Sequence, residues 1–298
     1  MTARSLGLSM NATIRHVSDT ALWVAVYRGM ESERPDALFH DPWARRLAGA
    51  RGEAIVAAVP RGKAMAWPMI VRTAVMDEIV MREVASGVRT VLNLAAGLDA
   101  RPWRLPLPAD LRWIHVDLPD MVAHFRDTMD AEAPRCRVEY LEADLRDAGE
   151  RERVLRSASG SGRLLVVTEG LLIYLEPEDV ARLADDLATI TDASAWLSDL
   201  ASPMLLKFTA RTLDPALQAA RAPFRFAPAE GTAFFAPHGW EEFEFRSSWL
   251  EGLRLNRTMP FAWLWRILAA LQPKARRAAG ERMAGIVLLK RSTGTTTA

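Results

Sequence analysis

Hydrophobic positions along the chain change their spacing near residue 87. Before this point they recur at helical intervals, as in the stretch that carries Val71, Val75 and Ile79 and ends at Gly87. Apolar residues three or four positions apart form one face of a helix, and glycine commonly follows the last helical turn. The segment 1–87 is therefore predicted to be an N-terminal helical cap.

After Val88, short apolar runs alternate with helical stretches. The runs are "TVLNLAA", "RWIHVDL", "CRVEYLEA", "RLLVVTEG" and "SAWLSDLA". Strands that alternate with helices favour a parallel sheet with helices on both faces. Residues 88–298 are thus predicted to form a doubly wound α/β domain. The final runs, "EEFEFRSS" and "MAGIVLLKR", are predicted to close it as an antiparallel hairpin at the edge of the sheet.

Residues 202–240 separate the fifth predicted strand from this closing pair. They are rich in proline, phenylalanine and glycine, as in "APFRFAPAEGTAFFAPHGW". Long irregular segments in compact domains are usually lids or binding loops. We therefore predict a lid insertion near the ligand site.

Composition limits the classes of function. The chain has 298 residues, 50% of them hydrophobic, which suffices for one large core with an appended cap. Its 38 basic and 37 acidic residues leave a charge of +1, so no nucleic-acid partner is expected. Cys136 is the single cysteine, which excludes an intramolecular disulfide and fits a reducing, cytoplasmic environment. The five histidines show no metal-ligand spacing, and no metal is expected.

No membrane span is predicted. The first twenty residues lack the continuous apolar core of a secretory signal. The later run "MPFAWLWRILAAL" carries Arg266 and is shorter than the roughly 20 residues that cross a bilayer. It is predicted to be a buried or interface helix rather than a membrane contact.

Polar residues and glycine stand at the ends of four consecutive predicted strands. In chain order they are Gly97 and Asp99, then Asp117, then Asp144 and Leu145, then Glu169. In a doubly wound sheet, ligands bind beyond the carboxyl ends of the strands. The four strand ends together predict a nucleoside-binding site.

Each position has a specific physical use. Gly97 lets the backbone approach a ligand closely. Asp117 lies 20 residues after Gly97, the spacing at which an acid meets ribose hydroxyls in dinucleotide-binding folds. Asp144 is expected to accept a hydrogen bond from an adenine amino group, while the backbone N–H of Leu145 donates to a ring nitrogen.

The loop after the first strand distinguishes two cofactors. The pyrophosphate of a nicotinamide cofactor requires the pattern G-x-G-x-x-G at a helix N-terminus. Here the three positions are Ala95, Gly97 and Ala100, and Asp99 adds a negative charge. An acid repels a diphosphate but suits an amino group or a sulfonium. The loop therefore favours S-adenosylmethionine over NAD.

At these residues the sequence resembles the leucine carboxyl methyltransferase-like family. Within it, the sequence is similar to the actinobacterial S-adenosylmethionine-dependent methyltransferases and the related polyketide O-methyltransferases. The resemblance extends from about Val17 to Arg291 and is carried by "VSDTALWVAVYRGMESERPDALFHDPWARRLAG", "VLNLAAGLDARPWRL", "WIHVDLPDM", "EADLRD", "VVTEGLLIYLEPEDV" and "FFAPHGW". It implies a class I methyltransferase Rossmann-like fold with an antiparallel last strand. It also implies methyl transfer to oxygen on a small molecule of secondary metabolism.

The resemblance further implies which residues bind the cofactor. Asp117 takes the place of the ribose acid, and Asp144 with Leu145 that of the adenine-contacting pair. Arg72 takes the place of the arginine that grips the methionine carboxylate, and Glu169 lies near the amino group. The predicted cofactor-binding residues are Arg72, Ala95, Gly97, Asp99, Arg101, Asp117, Leu118, Asp144, Leu145, Glu169 and Gly170.

Methyl transfer from a sulfonium is an in-line displacement that depends on alignment and on exclusion of water. A carboxylate acceptor is already ionised at neutral pH, whereas a hydroxyl acceptor needs a general base. The catalytic candidates are Tyr174, which would orient an acceptor, His238 in the predicted lid, and His16. For both histidines, a surface or capping role is an equally good interpretation.

The predicted lid also bears on the acceptor. Its aromatic residues suit a flat or apolar acceptor or form ordinary core; they are Phe224, Phe226, Phe234, Phe235 and Trp240. Four arginines would either bind an acidic acceptor or simply be exposed to solvent. They are Arg15, Arg211, Arg221 and Arg225. A small aromatic or acidic acceptor is expected. The sequence leaves open whether it presents a carboxylate or a hydroxyl, and whether the chain forms a homo-oligomer.

Two other functions remain open at this point. A nicotinamide-dependent oxidoreductase is disfavoured by the incomplete glycine pattern. A non-catalytic S-adenosylmethionine-binding protein would have the same residues at the strand ends and transfer nothing.

Overall fold

The computed structural model of the chain describes residues 18–58, 66–160, 162–190, 192–210 and 224–292. Within these residues the helices are α1 (Asp19–Ser32), α2 (Ala44–Ala58, interrupted at Gly49), α3 (Trp67–Ala85), α4 (Arg101–Arg104), α5 (Pro119–Met129), α6 (Ala148–Ala158), α7 (Pro177–Thr189), α8 (Pro203–Ala210), α9 (Ser248–Arg254), α10 (Ala262–Ala270) and α11 (Lys274–Glu281). Short 3-10 helices lie at Leu172–Tyr174 and Gly231–His238.

The strands form one seven-stranded sheet in the described part of the chain. They are β1 (Thr90–Leu94), β2 (Arg112–Asp117), β3 (Arg137–Glu142), β4 (Leu164–Thr168), β5 (Ala193–Ala201), β6 (Trp240–Ser247) and β7 (Ala284–Arg291). Their order is β3-β2-β1-β4-β5-β7-β6. The first five are parallel to one another, and β7 is antiparallel to both β5 and β6. The predicted α/β fold with an antiparallel last strand is confirmed.

The closing pair lies at the edge of the sheet, as predicted. The two strands pair antiparallel, β7 lies between β5 and β6, and β6 is the outermost strand on that side. The reason is visible in their burial. Residues 286–289 of β7 form a continuous buried apolar run, as expected for an inner strand, whereas Glu241, Glu242 and Phe243 of β6 are exposed.

Helices cover both faces of the sheet. Every residue of β1 and β4 is buried, because central parallel strands are covered on both sides. On one face, Val71 and Val75 of α3 share a core with Val91 and Leu165. Helices α1 and α2 contribute to a separate apolar cluster with α5. The domain boundary at residue 87 remains a prediction, and α3 shares its core with the sheet.

The order of the strands determines where a ligand binds. From β1 the chain proceeds to β2 and β3 on one side, and from β4 to β5 on the other. The crossover helices therefore diverge and leave a crevice at the carboxyl ends of β1 and β4. Ligands of doubly wound folds bind at this point.

Helix α10 forms from the late apolar run, which was predicted to be a buried or an interface helix; the buried alternative does not hold, and the interface alternative stays a prediction. None of its residues is buried against the described part of the chain. Over those same residues, no helix has the length and apolar character needed to cross a bilayer.

Candidate cofactor and active site

A cavity of about 1200 Å³ opens at the carboxyl ends of β1 and β4. Ligand pockets commonly measure about 300–1,000 Å³, so this cavity has room for a cofactor and a second molecule. All eleven residues predicted to bind the cofactor line it: Arg72, Ala95, Gly97, Asp99, Arg101, Asp117, Leu118, Asp144, Leu145, Glu169 and Gly170. The fold thus brings the four predicted strand ends together at one site.

Gly97 occupies a turn that only glycine adopts readily. Its φ is +55°, in the left-handed region. A Cβ at this position would lie 3.1 Å from the Cβ of Ala21 in α1. The backbone N–H of Gly97 donates to Oδ2 of Asp117 over 2.6 Å. Glycine therefore lets the loop after β1 fit beneath the cap helix and hold the acid at the end of β2.

Asp117 lines the cavity, and each oxygen of its carboxylate already accepts one hydrogen bond. Oδ2 accepts from Gly97, and Oδ1 accepts from the backbone N–H of Leu118 over 2.7 Å. A carboxylate has about four lone-pair directions, so further donors can still bind. Burial raises the pKa of the Asp117 carboxyl, and the two backbone donors oppose that rise. The arrangement suits a vicinal diol, whose two hydroxyls would donate to the two oxygens.

Glu169, just beyond β4, is held as an anion. It accepts from Nε of Arg72 over 3.0 Å and lies 2.8 Å from Nη1 of Arg101. Burial by itself would raise the pKa of Glu169, but the guanidinium groups of Arg101 and Arg72 lower it to about 2. Glu169 is therefore ionised throughout the neutral range and attracts a cationic group in the cavity.

Asp99 does not act as an isolated charge. Its Oδ2 accepts from Nη1 of Arg101 over 2.7 Å and from Nδ2 of Asn93 over 2.9 Å. Arg101 also donates from Nε to Oδ1 of Asp77 over 2.7 Å. The charge that was expected to repel a diphosphate is thus compensated inside the protein.

The network of ion pairs around Arg101 nevertheless has an excess of negative charge. Its linked members are Arg72, Arg101, Arg104, Asp77, Asp99, Glu169 and Asp199. Four carboxylates against three guanidinium groups leave one negative charge, and Asp117 adds another nearby. This excess is local to the ends of β1, β4 and β5, and it favours a cationic group there over a diphosphate.

Asp199 is a site residue that the sequence reasoning missed. Its Oδ1 accepts from the backbone N–H of Gly170 over 2.6 Å, and its Oδ2 accepts from Nη1 of Arg72 over 3.1 Å. It lies near the end of β5, in "SDLA". The rule applied to the first four strand ends would have identified it at the fifth. Asp77 gave no distinct signal, because helix α3 also carries the acids Glu78 and Glu83.

Asp144 and Leu145 lie side by side on the cavity wall beyond β3. Oδ2 of Asp144 is 2.6 Å from Nη2 of Arg146, and this hydrogen bond lowers the pKa of the Asp144 carboxyl. The backbone N–H of Asp144 donates to Glu150 over 2.7 Å. An adenine amino group would therefore share the Asp144 carboxylate with Arg146.

The three catalytic candidates are not brought together. Tyr174 lines the cavity, and burial raises the pKa of its hydroxyl. His238 is not among the described residues that line the cavity; its Nδ1 lies 2.7 Å from Oδ1 of Asp185 on α7. This position matches the surface interpretation of His238 and gives it no contact with a reacting group. His16 lies outside the described residues.

The predicted lid is divided between cavity wall and core. Phe224 and Phe226 line the cavity, whereas Phe235 and Trp240 are buried against Trp196. The ordinary-core interpretation therefore holds for the latter pair. Phe234 is half-buried beside Phe226, and Arg225 pairs with Glu176. Arg15, Arg211 and Arg221 lie outside the described residues.

Part of the cavity wall comes from a segment that the sequence reasoning did not assign to the site. Residues of α9, α10, α11 and the turn between the last two contribute Trp249, Trp265, Leu268, Gln272 and Arg276. The chain reaches this position because β7 returns between β5 and β6. The insertion at 202–240 is therefore not the whole cover of the site.

The fold is shared with two solved structures. A DUF574 family protein from Streptomyces avermitilis has a TM-score of 0.59 at 15% identity, covering 91% of this chain and 97% of that one. A protein from Thermobifida fusca titled a putative methyltransferase has a TM-score of 0.58 at 16% identity, covering 96% and 99%. With the sheet order, these likenesses define a class I methyltransferase fold.

Sequence comparison identifies the family. The profile of the leucine carboxyl methyltransferase family matches residues 21–188. A protein of Parafrankia sp. is 32% identical over 82% of this chain and 83% of its own length. One of Streptomyces coelicolor is 33% identical over 74% and 82%. Both carry the name putative S-adenosyl-L-methionine-dependent methyltransferase. The chain belongs to the leucine carboxyl methyltransferase family.

Proposed function

We propose that this protein transfers a methyl group from S-adenosylmethionine to a carboxylate oxygen of a small apolar acid. Family membership makes it an S-adenosylmethionine-dependent methyltransferase and sets aside the nicotinamide-dependent oxidoreductase. The choice of oxygen, of a carboxylate and of an apolar skeleton is our inference from the cavity. A small molecule of secondary metabolism fits that description.

The described residues fit the cofactor. S-adenosylmethionine carries a sulfonium, an ammonium and a carboxylate, so its net charge is positive and matches the local excess of negative charge at the ends of β1, β4 and β5. Asp117 would accept from the ribose hydroxyls, and Asp144 with Leu145 would bind the adenine. Glu169 would pair with the ammonium. Nη2 of Arg72 has no partner in the described part of the chain and would bind the carboxylate.

When bound, the cofactor supplies an electrophilic methyl group on a sulfonium leaving group. The task of the chain is then to align an acceptor oxygen with that group and to exclude water. Glu169 and Asp144 would hold the two ends of the cofactor and Asp117 its ribose, which leaves the aromatic part of the cavity for the acceptor. Arg101 positions Glu169 and Asp99 by binding both carboxylates.

The acceptor part of the cavity is mainly apolar. Its walls include Trp23, Trp67, Met69, Ile173, Phe224, Trp249 and Trp265. No histidine lines the cavity among the described residues. Tyr174 has a raised pKa, stays protonated at neutral pH and would donate a hydrogen bond to the acceptor. This set of groups suits an acceptor that needs no deprotonation.

The inference that the acceptor is a carboxylate rests on one arginine. Of the arginines that line the cavity in the described ranges, Arg276 is the one without an ion pair. A guanidinium group binds a carboxylate with well-defined geometry. We therefore infer that Arg276 draws an acidic acceptor into the aromatic part of the cavity.

The decisive experiment uses labelled S-adenosylmethionine and pairs of acceptors that share a skeleton but end in an acid or an alcohol. The acid members are expected to gain label as methyl esters, which mild alkali hydrolyses. Label that resists alkali, or that appears only on the alcohols, would contradict the carboxylate assignment. Cofactor binding without transfer to any acceptor would instead identify a non-catalytic binding protein.

Arg276→Met is expected to raise the KM for an acidic acceptor about fivefold, since an exposed ion pair contributes modestly. The affinity for S-adenosylhomocysteine should change little, because Arg276 is not among the residues assigned to the cofactor. Arg156→Met, which removes an exposed charge of α6 outside the cavity, is the control. Equal KM values for the two variants would remove Arg276 from acceptor binding.

The affinity for S-adenosylhomocysteine is expected to fall on acidification, starting at a higher pH than for an ordinary aspartate. The ionised form of Asp117 accepts the ribose hydroxyls, and burial raises its pKa, so protonation occurs earlier as the pH falls. Glu169, with a pKa of about 2, stays ionised in this range. Calorimetry across the weakly acidic range measures the effect. Asp117→Asn should flatten the profile; an unchanged profile would assign the titration to another group.

A further inference from the structure

Helix α10 and its flanks expose an unusual number of large apolar side chains. Phe261, Trp263 and Leu271 are 70%, 63% and 79% exposed. Trp265, Leu264, Ile267 and Leu268 are also exposed. A contiguous exposed apolar surface on a folded protein commonly marks an interaction site.

Helix α10 and the residues that follow it have one face that lines the cavity and another that does not. Trp265, Leu268 and Gln272 recur at helical spacing and line the cavity. At about 100° per residue, Trp263, Ile267 and Leu271 fall on the opposite side, with Leu264 beside them. None of these four lines the cavity. We call Trp263, Leu264, Ile267 and Leu271 the outer face.

A basic helix follows the outer face directly. Helix α11 carries Lys274, Arg276 and Arg277, all exposed, with Glu281 as its single acid. Arg266 lies on α10 itself. Within the described ranges, neither Arg266 nor Lys274 forms an ion pair. Arg276 and Arg277 also line the cavity, whereas Arg266 and Lys274 do not, so these last two are exposed cations next to the outer face.

We propose that the outer face and α11 dock on an anionic lipid surface. A helix that lies in a membrane interface inserts Trp, Leu and Ile side chains, while neighbouring Lys and Arg side chains bind anionic headgroups. Helix α10 has nine residues and lies along such a surface rather than across it. Tryptophan, here Trp263, is enriched at the boundary between headgroups and hydrocarbon.

The charges favour lipid over a second copy of the chain. A two-fold interface built on the outer face would bring one α11 near the α11 of its partner. Each copy contributes Lys274, Arg276 and Arg277 against one Glu281, so the contact would oppose like charges. An anionic surface would neutralise the same cations.

This docking also defines the class of acceptor, a step that rests on the proposed function. Because Trp265 and Leu268 of α10 line the cavity, docking would place this wall of the cavity next to the lipid surface. An acceptor that dissolves in the bilayer and carries a carboxylate at its surface would pass from lipid to cavity beside Trp265 and Arg276. The acceptor is therefore expected to be a membrane-partitioned acid.

The test is flotation of the full chain with vesicles of phosphatidylcholine, with and without phosphatidylglycerol. The protein should float with the anionic vesicles, less at high salt. Ile267→Asp is expected to weaken this binding at least about tenfold, through loss of apolar insertion. Lys274→Glu, which replaces a cation by an anion, is also expected to weaken it about tenfold. The matched control is Phe243→Asp, at an exposed apolar residue of β6 that should leave binding unchanged.

Each alternative has its own result. Failure of the wild type to float would overturn the proposal and mean that something else covers the outer face. Light scattering that shows a dimer for the wild type and a monomer for Ile267→Asp, without flotation, would assign the face to a second copy. The affinity of Ile267→Asp for S-adenosylhomocysteine confirms that the variant is folded. Flotation without methyl transfer would leave the docking intact and refute only the enzymatic proposal.

Discussion

Methionine in place of Arg101 is expected to lower the free energy of unfolding by about 3–5 kcal/mol, the usual loss when one partner of a buried ion pair is removed. The side chain of Arg101 is 2% exposed and binds Asp77, Asp99 and Glu169 within 2.8 Å. Burial alone would lower its pKa, but these carboxylates hold the pKa well above its usual range. Methionine fills similar space and leaves three carboxylates without their shared cation.

Chemical denaturation measures this loss. Arg101→Lys keeps the charge but not the planar fork of donors, so an intermediate loss is expected. Arg156→Met removes an arginine whose side chain is 75% exposed and paired with Glu152 on α6, and should be close to neutral. If Arg101→Met were as stable as Arg156→Met, the network would not be an important source of stability.

Alanine at Asp117 is expected to weaken binding of S-adenosylhomocysteine by about 1–3 kcal/mol, roughly 5- to 150-fold. The carboxylate would accept both ribose hydroxyls, and its removal also leaves the N–H groups of Gly97 and Leu118 without their acceptor. The loss comes from charge-assisted hydrogen bonds in a partly buried position.

Calorimetry on the folded variant measures the effect of Asp117→Ala. The control is Asp120→Ala, three residues further on in the first turn of α5, exposed and outside the cavity. Its affinity should match the wild type. An Asp117→Ala variant that binds as tightly as Asp120→Ala would exclude Asp117 from the ribose site and require a different orientation of the cofactor.

The sequence predicted the strand ends well because their signal is local. Gly97, Asp117 and Glu169 each follow a short apolar run, and parallel strands bring such positions to one edge of a sheet. The structure places all of them on one cavity. The rule was applied to the first four strand ends only. Its application to the fifth, β5, would have identified Asp199.

The sequence was less informative wherever a residue's role depends on a distant partner. His238 stands in a promising aromatic segment, yet it pairs with Asp185 away from the cavity. The run that forms α10 looked buried because it is apolar, but apolar composition does not specify what covers a helix. The predicted antiparallel pair lies at the edge of the sheet, but the sequence pattern did not reveal that β7, rather than β6, is next to β5.

By itself, the sequence determined the α/β class, the succession of strands and helices, and the residues offered at the end of each strand, since these depend on neighbours within a few positions. Only the tertiary structure decided how the charges are compensated. Asp77, Asp99 and Glu169 are far apart in the chain and meet at Arg101 because α3, the loop after β1 and the end of β4 converge. Electrostatic energy depends on distance in space and on burial, and neither can be read from the order of residues.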